Sequence, residues 1–294
     1  MIRDPIGELP AGYVIHRVGD SWLIFDGAGA SQLTQLRLGD PAVRRTLFAR
    51  ARRRGRGSVP SVPLGETSIV LRRYRHGGLL AWLTGTLYLG PERALSELRI
   101  TASAEASGAP VPHVVCLALW PVAGPLWSAL IGTHEYADAR DLLEILSAMD
   151  DPRSRRDLAR RVGTAIGKLH DCGVEHRDLQ VHNILSIGPE QRIVVVDLDN
   201  ASFHVPGPVP AGRRADNLGR LMRSIVKNGL WESRVGRREV AAFLGGYTES
   251  RRALRRDLRV WLGRERLKLA LHRVRYRFSR PPNPGRGAAP PRSA

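Results

Sequence analysis

The 294-residue sequence predicts an α+β fold of two lobes, a small, mainly antiparallel β lobe followed by a larger helical one. Three observations predict it. Short apolar and β-branched runs punctuated by turn residues fill the first 131 positions, with a helical stretch set directly before the last two of them. Beyond residue 132 the apolar spacing changes to the three-to-four-residue period of helices. Between the second and third of those helices lies the octapeptide H-R-D-L-Q-V-H-N, His176 to Asn183, followed by the apolar run Ile193 to Val196 and then Asp197.

In chain order, Tyr13 to Val18 and Ser21 to Phe25 are two short strands about Gly19-Asp20. Asp40 to Arg54 is a helix capped by Asp40, with Pro41 at its first position, where a missing N–H costs nothing. It runs into R-R-R-G-R-G, Arg52 to Gly57, and Ser68 to Arg72 follows as a β-branched strand. Pro91 to Ala102 has helical spacing, with Ala94, Leu98 and Ile100 apolar and Glu97 among them. Val111 to Trp120 and Leu126 to Ile131 are buried strands, with Pro121, Gly124 and Pro125 as the turn between them. Gly132 to Tyr136 reads as the hinge. Helices follow over Ala139 to Met149, Pro152 to Asp171, about Arg214 to Asn228, and Arg237 to Tyr247. Gly173 is the natural end of the second of these, whose Leu158, Val162, Ile166 and Leu169 share one face. Arg251 to Arg280 reads as a basic amphipathic helix, and the Pro/Gly/Ala-rich Pro281 to Ala294 as a disordered tail. The expected organisation is therefore an amino-terminal lobe over 1–131, a carboxy-terminal lobe over 132–280, and the tail.

Composition narrows the class of function. Cys116 and Cys172 are the two cysteines; without paired spacing they fit a reducing compartment, neither a disulfide framework nor a zinc site. Met1 to Pro10 holds two acidic residues and no apolar core, unlike a secretory signal. The uncharged stretch Val114 to Thr133 is broken by Pro121, Gly124 and Pro125 and reads as two strands, not a membrane span. The expectation is a cytoplasmic protein. A net charge of +18 points to anionic partners, although the excess of arginine over lysine also fits a GC-rich coding composition. No nucleic-acid-binding module or aromatic ladder accompanies the charge, so a nucleic-acid partner is not expected.

The octapeptide carries the chemistry. It reproduces the protein-kinase catalytic loop, H-R-D-L-x-x-x-N, at every fixed position. Asp178 is the candidate catalytic base or hydroxyl-orienting residue. Asn183 and Asp197 are candidate oxygen ligands for Mg2+, the hard cation that phosphoryl transfer from ATP requires. His176 reads as a structural histidine that packs the loop, and Arg177 as a loop organiser. After Asp197 the sequence is D-L-D-N, not D-F-G; Asp199 is either a second metal ligand or a solvated turn acid. No A-P-E follows, and the stretch before the next helix is too short for a peptide-seating activation segment, so a small or lipid-linked acceptor is expected. Gly55 and Gly57 are candidates for a glycine-rich turn beside the ATP phosphates. V-A-I-K is replaced by I-V-L-R, which leaves Arg72 in place of the phosphate-binding lysine, with Glu97 as its candidate partner or an ordinary surface acid.

With these residues assembled, the chain resembles the lipopolysaccharide Kdo/heptose kinase family, most closely the 3-deoxy-D-manno-octulosonic acid (Kdo) kinases. The resemblance rests on G-R-G at 55–57, V-L-R-R-Y-R-H-G-G-L-L at 70–80, R-A-L-S-E at 93–97, A-P-V-P at 109–112, D-L-Q-V-H-N-I-L at 178–185 and V-D-L-D at 196–199. The arginine at 72 and the D-x-D resemble this family, whereas Arg177 in H-R-D resembles protein kinases. The resemblance implies a protein-kinase-like two-lobed fold, ATP and Mg2+ as cofactors, and transfer to a hydroxyl of Kdo on the lipid A inner core. Carried over by position, it makes Asp178 catalytic, Asn183 and Asp197 metal-binding, and Arg72 with Glu97 phosphate-positioning.

An anionic, lipid-linked acceptor suits the charge distribution. Arg251 to Arg280 has twelve Lys and Arg against Asp257 and Glu265, with Leu254, Leu258, Trp261, Leu269 and Tyr276 for an apolar side. Such a helix either lies on an anionic membrane surface as a peripheral anchor or packs on the carboxy-terminal lobe with a solvated basic face. The competing functions are a heptose kinase of the same family and a catalytically weak, pseudokinase-like binding protein.

Overall fold

A computed structural model describes residues 6–52, 60–74, 85–136, 138–204 and 207–248. Gly55, Gly57, the R-H-G-G-L-L segment, the basic stretch 251–280 and the tail lie outside the described residues.

Strands β1 (Tyr13–Val18) and β2 (Ser21–Asp26) form the expected hairpin, with Tyr13 opposite Asp26 and Gly19 at φ +58° in the turn. They join β3 (Ser61–Leu64), β4 (Thr67–Arg73), β5 (Tyr88–Leu89), β6 (Val114–Ala123) and β7 (Leu126–His134) in one sheet. The order is β1-β2-β6-β7-β4-β3 with β5 beside β7, and every pairing is antiparallel. Strand β3 was not expected. Pro63 depresses strand propensity, and it is tolerated because β3 is the edge of the sheet.

Alternation sends β2 residues to two faces. Ile24 joins Ala94, Leu95, Leu98, Leu117 and Leu119 beneath helix α3 (Glu92–Ala106). Leu23 and Phe25 join Leu33 and Leu38 on the opposite face, near α1 (Ala30–Gln35) and α2 (Pro41–Arg52). Two-sided burial explains why β6 reads as a nearly continuous apolar run. Asp40 caps α2 as expected, its Oδ1 accepting from the Ala42 N–H at 2.8 Å. Gly132 to His134, read as hinge, instead continue β7: Thr133 pairs with both Val70 and Val114.

The remainder is helical around a separate core. Arg140 and Asp141 form the short strand β8, paired with Ser186 and Leu185, so helix α4 (Leu142–Ala148) starts later than its spacing suggests. Asp141 caps it, accepting from the Glu144 N–H at 2.8 Å. Helix α5 (Pro152–Asp171) has the expected inward face, and Gly173 follows at φ +82°. Strands β9 (Val174–Glu175), β10 (Ile184–Ile187), β11 (Arg192–Val195) and β12 (Ser202–Phe203) frame the catalytic loop before α6 (Ala211–Lys227) and α7 (Arg237–Thr248).

Helices α5 and α7 touch backbone to backbone. A Cβ on Gly163 would sit 2.1 Å from the Phe243 carbonyl oxygen, and one on Gly246 2.1 Å from that of Arg160. Gly163→Ala must push the helices apart and is expected to destabilise the protein by about 3 kcal/mol. Gly245→Ala, with nothing within 4 Å, is the neutral or mildly stabilising control in urea denaturation.

At the same crossing His170 is fully buried, with Nδ1 2.6 Å from the Tyr247 hydroxyl and Nε2 3.3 Å from Asn217 Oδ1. Burial, reinforced by the nearby Arg214 charge, pushes its pKa down to about 3. The unfolded chain therefore binds a proton that the folded one refuses. Stability is complete above the unfolded histidine value near 6.5 and falls as the pH drops towards 3. Denaturation at pH 7 and pH 5 should differ by about 2 kcal/mol from this group. His170→Asn should flatten that part of the slope.

Candidate active site

The turn after Gly173 delivers β9 and then His176, which is 1% exposed. Its Nδ1 accepts from the Asp178 N–H at 3.2 Å, and its Nε2 donates to the Val196 carbonyl at 3.0 Å. That pairing selects the neutral Nε2–H tautomer, and burial lowers the pKa in agreement. His176 thus joins the backbone of Asp178 to that of the residue before Asp197, the structural part its sequence position suggested.

Asn183 closes the loop. Its Nδ2 donates to the Asp178 carbonyl at 2.9 Å, leaving the amide Oδ1 for another partner. Its own carbonyl accepts from the Val196 N–H at 2.9 Å, and Ser224 Oγ of α6 accepts from the Val181 N–H at 3.2 Å. The Asp178 side chain is exposed at the rim, where Oδ2 accepts from Gln180 Nε2 at 2.8 Å.

The β10–β11 hairpin, with Ile184 opposite Val195, aims the chain at Asp197. Asp197 adopts φ +67°, a left-handed conformation that costs a non-glycine residue about 1 kcal/mol. Its Oδ1 is 3.1 Å from Arg72 Nη1 yet is buried without a well-aligned hydrogen bond among the described residues. The contact is therefore chiefly coulombic, and an oxygen lone pair is left over.

Arg72 comes from β4 and reaches back to α3. Its Nη2 lies 2.5 and 2.7 Å from Glu97 Oε1 and Oε2, and the Tyr74 hydroxyl donates to the same carboxylate. Glu97 is 5% exposed, which removes the reading of an ordinary surface acid. Burial raises the Glu97 pKa against the opposing pull of Arg72 and Tyr74. Burial also works against the Arg72 charge, but Glu97, Tyr74 and Asp197 outweigh it and hold the guanidinium protonated.

Asp199 is neither free nor a solvated turn acid. Its side chain is 13% exposed and its Oδ2 is 2.5 Å from Arg93 Nη2. The chain after it is pinned just as closely. Phe203 pairs with Val174, and Glu175 Oε2 contacts His204 Nε2 at 2.8 Å. Helix α6 begins at Ala211, in accord with the short segment read from the sequence.

The structure thus links Glu97, Arg72 and Asp197 by direct contact, and Asp197, Asp178 and Asn183 through His176 and the loop backbone. Sequence reasoning missed Tyr74 and Arg93. The one available signal was the four-residue spacing of Arg93 and Glu97 on a helix, which puts them on one face. The donor set suits Mg2+: a carboxylate oxygen without a hydrogen bond and an amide oxygen, both hard. Among the described residues no group of three or more His, Cys, Asp or Glu forms a metal cage. A cation held here would complete its shell with phosphate and water oxygens.

A kinase-like fold with a catalytic loop of this geometry defines a phosphotransferase with an alcohol group as acceptor. The model of the lipopolysaccharide kinase (Kdo/WaaP) family matches residues 43–247. A 3-deoxy-D-manno-octulosonic acid kinase of Vibrio cholerae serotype O1 is 33% identical over 177 residues, covering 59% of this chain and 72% of the relative. One from Xylella fastidiosa strain M12 is 30% identical over 177 residues, covering 59% and 68%. A solved structure described as WaaP in complex with acyl carrier protein superposes with a TM-score of 0.51 at 22% identity, covering 71% of this chain and 82% of that one. That likeness concerns the fold. The chain belongs to the lipopolysaccharide kinase (Kdo/WaaP) family and is an ATP-using kinase.

Proposed function

We propose that this kinase transfers the γ-phosphoryl group of Mg-ATP to a hydroxyl of the Kdo sugar on the lipid A inner core during lipopolysaccharide biosynthesis. The observation that carries the reading is the continuous contact from Glu97 through Arg72 to Asp197, set against a catalytic loop that His176 and Asn183 hold in shape. The names of the relatives support Kdo as acceptor. The lobe of residues 1–131 takes the nucleotide, with Arg72 and Glu97 positioning its phosphates; Gly55 and Gly57, the sequence's candidates for a glycine-rich turn there, lie outside the described residues. The lobe of residues 132–280 presents the acceptor to Asp178. Asp178 accepts a hydrogen bond from the attacking hydroxyl and orients it along the line of transfer. Asn183 Oδ1 and Asp197 would hold Mg2+, which neutralises phosphate charge when bound.

The acceptor is anionic and lipid-linked, which matches a net charge of +18 and the basic run 251–280. We place the enzyme in the cytoplasm, peripheral on the inner membrane; no described helix is long and apolar enough to cross a bilayer. Incubation with Mg-ATP and either Kdo-bearing lipid A or a heptosylated core tests the acceptor. Phosphate on the Kdo-bearing acceptor is the expected product. Transfer confined to the heptosylated acceptor would make the enzyme a heptose kinase and overturn the Kdo assignment.

A further inference from the structure

Helix α3 meets the D-L-D turn through one face. Arg93 and Glu97 lie four residues apart, in register with Asp199 and Asp197, two residues apart on an irregular turn. Glu97 reaches Asp197 through Arg72, whereas Arg93 reaches Asp199 directly at 2.5 Å. The second link is not a surface ornament. The Arg93 guanidinium lies 5.0 Å from the centre of the Tyr88 ring, its Nε is buried without a hydrogen-bond partner among the described residues, and Asp199 is 13% exposed. Asp199 is the more enclosed member of the pair, since the Arg93 side chain is 32% exposed, so removing Arg93 leaves a mostly desolvated carboxylate without its cation. Between the two acids Leu198 is 1% exposed and anchored in the carboxy-terminal core.

We propose that Arg93 and Asp199 form a dedicated clamp between helix α3 and the D-L-D turn, making Arg93 a positioning residue that sets the angle at which Asp197 meets the metal-nucleotide. The inference rests on the reading of Asp197 as a Mg2+ ligand. Asp199 is thereby assigned to Arg93 and is not a second ligand. With the clamp in place, Asp197 is held from both sides in its left-handed conformation. Without it, the turn keeps the Arg72 contact, the bonds of Val196 to His176 and Asn183 and the burial of Leu198, but loses its direct tie to helix α3.

The test is a double-mutant cycle on Mg2+-dependent ATP affinity and on kcat, using Arg93→Asp, Asp199→Arg and the charge-swapped double variant. Each single variant should weaken Mg2+-dependent ATP binding at least tenfold and lower kcat, with KM for the sugar acceptor little changed. The swapped variant should recover most of both losses. Two results would overturn the clamp: a swapped variant no better than the worse single one, or Arg93→Ala without effect while Asp199→Asn alone raises the Mg2+ requirement. The second would make Asp199 a metal ligand. Binding of Mg-ATP by the unmodified protein without transfer to Kdo would overturn the acceptor assignment only, and the cycle would still be read on nucleotide affinity. Failure to bind Mg-ATP at all would overturn the nucleotide-site reading and the clamp with it.

Discussion

Asp178→Asn should lower kcat by roughly three orders of magnitude while leaving the fold and the affinity for ATP nearly unchanged. The expectation follows from where the side chain sits. Asp178 is exposed at the rim, and among the described residues its carboxylate hydrogen-bonds Gln180 alone, so it holds nothing together. The loop is shaped instead by the backbone of Asp178, through His176 and Asn183, and asparagine keeps that backbone. A substitution at such a surface position changes stability by no more than about 0.5 kcal/mol. Rate, KM for ATP and urea midpoint measured on one preparation check the claim. A loss of activity that tracks a loss of stability would contradict it.

Arg72→Ala should act in the opposite manner, damaging stability and activity together. Glu97 is buried, and with Arg72 gone it keeps, among the described residues, only the Tyr74 hydroxyl as a hydrogen-bond donor. Breaking a buried pair by removing one member typically costs about 3 to 5 kcal/mol, because the remaining charge is left uncompensated. The variant is expected to unfold at markedly lower urea and to lose Mg2+-dependent ATP binding. Arg72→Lys separates the two effects. A lysine ammonium restores charge but cannot span both Glu97 oxygens while contacting Asp197, so most of the stability should return and the rate only in part. Removal of Glu97 in the Arg72→Ala background should then cost much less than it does alone.

These two outcomes reflect what was legible in the sequence. The catalytic loop was readable because its chemistry binds neighbouring residues, so Asp178 and Asn183 sit in one octapeptide. Arg72 and Glu97 were readable because each occupies a fixed place on a strand and a helix. The burial that makes Glu97 more than a surface acid is a tertiary fact. The Arg93–Asp199 pair spans 106 residues, and nothing local marks the two as partners. The backbone contact at Gly163 and Gly246 was hidden for a related reason. Periodicity identifies the apolar face of α5, whereas the α5–α7 contact depends on where side chains are missing. Strand β3 escaped because Pro63 argues against a strand until its edge position is known. The late start of α4 was set by pairing of Arg140 and Asp141 with β10, a contact across the fold.

The most direct test of the central claim is mass spectrometry of Kdo-bearing lipid A after incubation with Mg-ATP and the enzyme, with Asp178→Ala in parallel. The account predicts addition of a single phosphoryl group located on the Kdo residue, absent with the variant. An unmodified acceptor in both reactions, from a protein that binds Mg-ATP, would contradict it.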